Sequence, residues 1–285
     1  MGESLAILSA LFQAISTVLS AEALKKVDPI WSNAIKSLAA AVVMLPIVVV
    51  TGDLINFTNV TFDALFLVIL AAIVGFGFGD TFLFKSIVLI GVSKAYTISF
   101  TSPLFTMILA VIFLNEPFLL KYLVGTLLIV VSLAIISLEL EKKEKGQKDI
   151  NLKGIMIAIA AAISWAVGTI LVTLGLRNIS VLLANAIRFP ILAFFLLIIS
   201  KPRKKREVTR RELLLLSASG VIGMVLGGIT FLLSIQLIGA SRASPLNASS
   251  PVLASLMSRV FLREKVTVRL ILSAILISIG IYFLV

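Results

Sequence analysis

The sequence predicts an all-α polytopic membrane protein with ten transmembrane helices, arranged as two inverted five-helix repeats. Three observations predict it. First, 60% of the 285 residues are hydrophobic and only 14% are charged, and the mean hydropathy is +1.15. Apolar runs of about 18 residues or more are candidate membrane helices, and this chain is mostly such runs. Second, Gly91-Val92-Ser93-Lys94-Ala95-Tyr96, Ser102-Pro103 and Phe113-Leu114-Asn115-Glu116 recur 148 residues on, as Gly239-Ala240-Ser241-Arg242-Ala243-Ser244, Ser250-Pro251 and Phe261-Leu262-Arg263-Glu264. A Gly, a basic residue, a Pro and a Glu held at one offset mark an internal duplication. Third, the basic residues concentrate in alternate loops, in the opposite sense for the two halves.

The first span runs from about Glu3 to Ala23, straight from an N-terminus without the basic region of a signal peptide, and ends before Lys25-Lys26. The second starts near Ile30 and ends at Thr51-Gly52-Asp53. The third starts near Asp63, carries Gly75-Phe76-Gly77-Phe78-Gly79-Asp80 in its middle and ends at Gly91. The fourth covers about Val92 to Leu114, and the fifth Phe118 to Leu138. The first repeat is thus residues 1–139. Residues 140–151 form a charged linker, too polar to enter lipid. The second repeat, 152–285, holds spans at Leu152 to Leu176, about Ser180 to Ser200, Glu212 to Ile238, Ala240 to Leu262 and Thr267 to Val285. Further matches tie the halves together. Ala14-Ile15-Ser16 pairs with Ala162-Ile163-Ser164 at the same offset, and Asn33-Ala34-Ile35-Lys36 with Asn185-Ala186-Ile187-Arg188 at 152.

The net charge of +11 would suggest nucleic acid in a soluble protein, but here the basic residues sit in loops and set orientation. Lys201-Pro202-Arg203-Lys204-Lys205-Arg206 reads as a topology anchor touching acidic lipid, not as a nucleic-acid patch. Odd-numbered loops carry Lys25, Lys26, Lys94, the linker lysines, this basic run and Arg263, Lys265 and Arg269. Even-numbered loops carry Lys121, Arg177 and Arg242. Odd loops are therefore expected in the cytoplasm and both termini outside the cell membrane. Five spans per half invert the second half relative to the first, a recurring plan of secondary transporters. The chain has no Cys and no His. That removes thiol nucleophiles, disulfides and His-based metal or proton-relay sites. The reading assigns no cofactor.

Several residues carry candidate roles. Pro103 and Pro251 sit inside matching spans, as static kinks or as hinges that let one side close while the other opens. Tyr96, Ser99, Pro103, Thr106 and Ala110 share one face of the fourth span, and Ser244, Asn247, Pro251, Ala254 and Ser258 one face of the ninth. These faces serve tight packing or a cavity wall. Tyr96 and Asn247 point to a cavity, because lipid cannot satisfy their polar groups. Gly75, Gly77 and Gly79 thin the third span ahead of Asp80, the one acid deep inside any helix. Asp80 is a candidate for a substrate amine or a coupling proton, or for a structural bond. Lys85 is its candidate partner, or else snorkels. The counterpart of Asp80 is Gly228. Lys36 and Arg188 either snorkel to headgroups or contact an anion. Glu116 and Glu264 lie on opposite faces of the membrane and cap or pair locally. Gly77-Phe78-Gly79-Asp80 spells the GxGD pattern of intramembrane aspartyl proteases, but that chemistry needs two carboxylates sharing a proton, and no second deep Asp exists. No phosphate-binding loop appears, so transport would be secondary or facilitated.

Taken together, the two five-helix repeats, the small-residue entries and mid-helix Pro of the fourth and ninth helices, their terminal Glu, and Ala162-Ile163-Ser164-Trp165-Ala166-Val167-Gly168 resemble the drug/metabolite transporter superfamily of the ten-helix EamA type. Thr17 departs from the pattern, standing where the second half has Trp165. The resemblance implies export, by alternating access, of a small amphipathic metabolite such as an amino acid. A non-transporting sensor or a lipid flippase is the alternative. It also implies a central cavity lined by aromatic residues, here Phe78, Phe82, Tyr96 and Trp165. The expected partners are a small-molecule substrate and membrane lipid, with proton coupling as one role open to Asp80, and not nucleic acid; the chain is expected to act as a monomer or homodimer.

Overall fold

A computed structural model describes residues 1–24, 26–143, 151–200, 208–262 and 267–285. Every regular element among them is helical. In chain order these are α1 (Gly2–Leu24), α2 (Pro29–Val50), α3 (Phe62–Ala71), α4 (Gly79–Ile90), α5 (Val92–Ser99), α6 (Ser102–Leu114), α7 (Leu120–Lys143), α8 (Leu152–Gly175), α9 (Val181–Ile199), α10 (Arg210–Gly220), α11 (Gly227–Ile238), α12 (Ala240–Asn247), α13 (Ser250–Leu262) and α14 (Val268–Leu284). Polar caps set many of the starts. Asp28 accepts from the Ile30 and Trp31 amides, Thr61 from Ala64, Ser180 from Leu183, and Thr209 with Glu212 makes a reciprocal capping box.

Among the described residues, seven helical stretches are long and apolar enough to cross a membrane, including Phe62–Ile90 and Arg210–Ile238. Two apolar helices, Leu120–Ile136 and Val268–Leu284, are shorter. On α2 the apolar residues Leu38, Val42, Leu45 and Val49 are exposed at three- and four-residue steps, while Ala34, Ser37, Ala41, Met44 and Val48 are buried. An apolar stripe left outside is what lipid solvates. The small residues opposite let neighbouring helices approach closely. The charged linker begins as helix, since α7 runs on to Lys143. Residues 144–150 lie outside the described residues, as do the basic run Lys201–Arg206 and Arg263, Glu264 and Lys265.

Two long elements are not plain α-helix. Ala72–Phe78 links α3 to α4 as a π-helix, and Val221–Leu226 links α10 to α11 in the same way. Each is followed by a Gly, Gly79 or Gly227, that starts the next α-helix. The fourth and ninth expected spans are also split. α5 ends at Ser99 and α6 starts at Ser102; α12 ends at Asn247 and α13 starts at Ser250. Pro103 and Pro251 therefore stand in the first turn of a new helix, where a missing N–H costs nothing, and not within a continuous bent helix. Gly91 and Gly239, which open α5 and α12, share nearly one conformation, φ 85° and 83°. A Cβ would strain either one.

Packing crosses between the halves. α1 lies along α10 and α11 and touches α13, while α8 lies along α3 and α4 and touches α6. α2 packs on α9, and α7 on α14. Close backbone approach needs glycine at these crossings. A Cβ on Gly168 of α8 would lie 2.5 Å from the Cα of Gly75, and one on Gly125 of α7 would lie 2.8 Å from the Gly280 carbonyl oxygen. Arg242 donates to Glu3 (2.7 Å) and to the carbonyls of Leu284 (2.7 Å) and Val285 (3.1 Å), so both chain termini lie at one end of the bundle.

Candidate functional site

The π-helix in the first half positions the acid. A π-turn adds a residue to the helical turn and recurs at functional sites. It loosens the carbonyl ladder, and Thr81 Oγ1 donates to the Gly77 carbonyl at 2.6 Å. Asp80 follows in the first turn of α4. Trp165 Nε1 donates to its Oδ1 at 3.0 Å, and Asn33 Nδ2 donates to its Oδ2 at 2.6 Å. Trp165 reaches it because the residue before Asp80 is Gly79: a Cβ there would meet the indole Cδ1 at 2.5 Å. Lys36, one turn on from Asn33 in α2, acts on the carboxylate through its charge. Lys85 is exposed and does not partner Asp80. Asp80 remains half-buried, as a carboxylate in a membrane protein must be if it is to face protein and an aqueous path.

Trp165 links this carboxylate to a run of aromatic rings, and Phe78, two residues before Asp80, is exposed. Trp165 meets Phe100 edge-on at 5.7 Å, and Phe100 stacks on Tyr96 at 5.6 Å. Phe78 stacks on Phe82 at 6.1 Å and meets Phe195 edge-on at 5.5 Å. Sequence reasoning missed Phe100 and Phe195. Asn33 carried a signal as a repeat marker but was not recognised as a ligand of Asp80.

Two candidate residues face elsewhere. Ser99 is fully buried and donates to the Ala158 carbonyl at 3.1 Å, which joins α5 to α8. Asn247, its counterpart 148 residues on, accepts from Ser9 at 2.9 Å, beside the Ser9 bond to the Gly227 carbonyl at 2.8 Å. Asn247 thus sits against α1 and the start of α11. Glu116 caps α12. Its oxygens accept from the Ala240 amide (2.7 Å), the Ser241 amide (2.9 Å) and the Ser241 hydroxyl.

Around Gly228 the second half repeats part of the Asp80 arrangement. A Cβ on Gly228 would lie 3.6 Å from Asn185 Oδ1. Arg188, one turn on, donates from Nη1 to that Oδ1 at 3.3 Å and lies over the Phe76 ring at 5.1 Å. Arg188 is only 6% exposed, so it does not snorkel to the headgroups.

A bundle of long apolar helices, holding a carboxylate bonded by an Asn and a Trp, is the build of a multi-pass membrane protein. The chain belongs to the EamA-like transporter family, whose model matches residues 1–138 and again residues 152–285. A relative from Archaeoglobus fulgidus, described as an uncharacterized transporter, is 26% identical over 279 residues and covers 97% of this chain and 95% of its own. A solved crystal structure superposes with a TM-score of 0.81 at 17% identity, covering 99% of this chain and 95% of that one. At that identity the likeness speaks for the fold alone.

Proposed function

We propose that this chain is a secondary transporter of small amphipathic metabolites, amino acids or similar, that exports them across the cell membrane by alternating access. Ten membrane helices in two inverted repeats would carry the motion, with both termini outside the cell. The matched conformations at Gly91 and Gly239, the matched π-helices and the crossed packing of the halves support that arrangement. The family match to each half supports it too. α5–α6 and α12–α13, each split just ahead of a Pro, are suited to act as its hinges.

One observation carries the functional reading: Asp80, half-buried, held by Asn33 and Trp165 and flanked by aromatic rings. A carboxylate fixed by two donors keeps lone pairs free for an ammonium group or a proton. The rings beside it fit an apolar body. The described neighbours that bond it include no second carboxylate, which weighs against acid–base proteolysis. The test is Asp80→Asn in proteoliposomes. Losing a charge-assisted bond of about 1.5–3 kcal/mol should cut initial solute flux roughly ten- to hundredfold and flatten its pH dependence. Full, pH-independent flux would end this reading. Wild-type protein that moves no polar solute would favour a sensor or a lipid flippase.

A further inference from the structure

The two halves treat the same local problem differently. In the first, Asn33 of α2 points its amide at a carboxylate, Asp80, and the cation one turn on, Lys36, acts on the same group. In the second, Asn185 and Arg188 of α9 occupy the matching positions, but the residue that corresponds to Asp80 is Gly228. Asn185 still stands beside it: its Oδ1 and Nδ2 lie 3.6 and 3.8 Å from where a Gly228 Cβ would be.

The consequence is a set of donors without an acceptor. Asn185 is fully buried and Arg188 nearly so. Asn185 Oδ1 is taken by Arg188 Nη1, so its amide nitrogen is left facing outward from that bond. Asn185 Nδ2 and Arg188 Nε are both buried with no hydrogen-bond partner. Phe76 covers the guanidinium face but offers no charge. Buried donors are almost always paired, and a buried cation is tolerated only with a counter-charge or a ligand. Among the described residues no ion pair joins Arg188 to a carboxylate. A planar acceptor with two oxygens matches a guanidinium and an amide side by side.

We propose that Asn185 and Arg188 form an anion site for the carboxylate of the transported solute, which takes the place that an acid at position 228 would fill. The proposal rests on the Asp80 reading for its idea of a zwitterion. Phe76 precedes Asp80 by one turn, and α2 packs on α9, so the two poles belong to adjoining elements. An amine would go to Asp80 and a carboxylate to Arg188, as in a solute that carries both groups.

The test separates the two poles. The thermal midpoint of the purified chain in neutral detergent would be measured with 4-methylpentanoate, isopentylamine, leucine and inorganic phosphate, since a ligand selective for the folded state raises it. 4-Methylpentanoate should raise the wild-type midpoint by several degrees and leave Gly228→Asp unmoved, because the introduced carboxylate satisfies Asn185 and Arg188 from within. Gly228→Asp should itself be more stable than wild type without ligand. Gly228→Ala, whose Cβ meets nothing closer than 3.5 Å, should keep the wild-type response, and Arg188→Gln should lose it. Isopentylamine should act equally on wild type and Gly228→Asp. Its failure alone would count against the Asp80 reading and leave the anion site standing. A 4-methylpentanoate shift that survives in Gly228→Asp would overturn the proposal. So would the absence of that shift in wild type, or an equal shift with phosphate.

Discussion

Trp165 and Gly79 act as one unit. The indole can donate to Asp80 only because no side chain stands at position 79. Trp165→Phe keeps the ring packing against Phe100 and removes only the N–H, so it should weaken solute flux roughly tenfold and barely move the thermal midpoint. Gly79→Ala forces a Cβ to within 2.6 Å of Nε1. It should lose the bond and also about 1–3 kcal/mol of stability from overpacking. Flux and thermal midpoints measured on both variants check this, and equal stability losses would contradict it. Asp80 and Arg188 were legible in the sequence because each is a charge among apolar neighbours, and Trp165 through the resemblance to the family. Phe100 was not, because one more aromatic residue in an apolar run carries no contrast. Ser99 shows the limit of helical-wheel reasoning. It shares a broad face with Tyr96, yet its hydroxyl is spent on Ala158 across the packed side. Lys85 was the nearer cation in sequence, but the charge that acts on Asp80 is that of Lys36 on α2, a tertiary choice that local spacing cannot reveal.

Helix breaks do the positioning between residue and bundle. The sequence shows Gly75, Gly77 and Gly79 and the paired Pro residues, but it does not show that the first set lies in a π-helix or that each Pro restarts a helix. Both outcomes depend on neighbours: Gly168 pressed on Gly75, and side-chain hydroxyls that take up freed carbonyls. The start of α12 is tied to the end of α6 by Glu116, whose two oxygens occupy three donors at the positive end of the helix. Gly239 must be glycine for this contact, since its φ is +83° and a Cβ would meet Glu116 Oε2 at 2.7 Å. On the alternating-access reading, the Glu116 contact would be one that closes a side of the bundle. Glu116→Ala removes a cap worth about 0.5–2 kcal/mol, which should raise the open population several-fold. The chain has no native Cys, so a single cysteine at the buried Ser244 reports it. Maleimide labelling there should speed up in the Glu116→Ala background and less in Glu116→Gln, whose carbonyl oxygen can still accept from the Ser241 amide and hydroxyl while its NH2 cannot accept from Ala240. Equal labelling rates in all three would mean that this contact holds nothing closed.

At the scale of the molecule, the pairings of the two halves mirror each other. On α7 and α14, Gly125 meets Gly280, and Ser273 donates to the Ser132 carbonyl at 2.9 Å. Adding 148 to the positions of Gly125 and Ser132 gives those of Ser273 and Gly280, so each contact is the other with its partners exchanged. A two-fold rotation produces exchange of that kind; a simple translation of one half onto the other does not. If its axis lies in the membrane plane, the two halves face opposite sides, and the loop charges should sort accordingly. The chain ends, joined through Arg242, must then share a face with the loop at Gly239 and with the Asp53–Ser180 contact between two other loops. The loops near Glu22 and Arg211, which pair at 3.0 Å, must share the other. Single cysteines placed at Ser4, Tyr282 and Asn56 should react with an impermeant maleimide applied to whole cells. Cysteines at Lys26 and Lys204 should react only after the membrane is opened, because the positive loops are retained inside. Labelling of the two chain ends from opposite sides would contradict the pairing through Arg242 and the inverted arrangement together. Labelling of every site with the two groups exchanged would keep the inverted arrangement and reverse the orientation read from the basic loops.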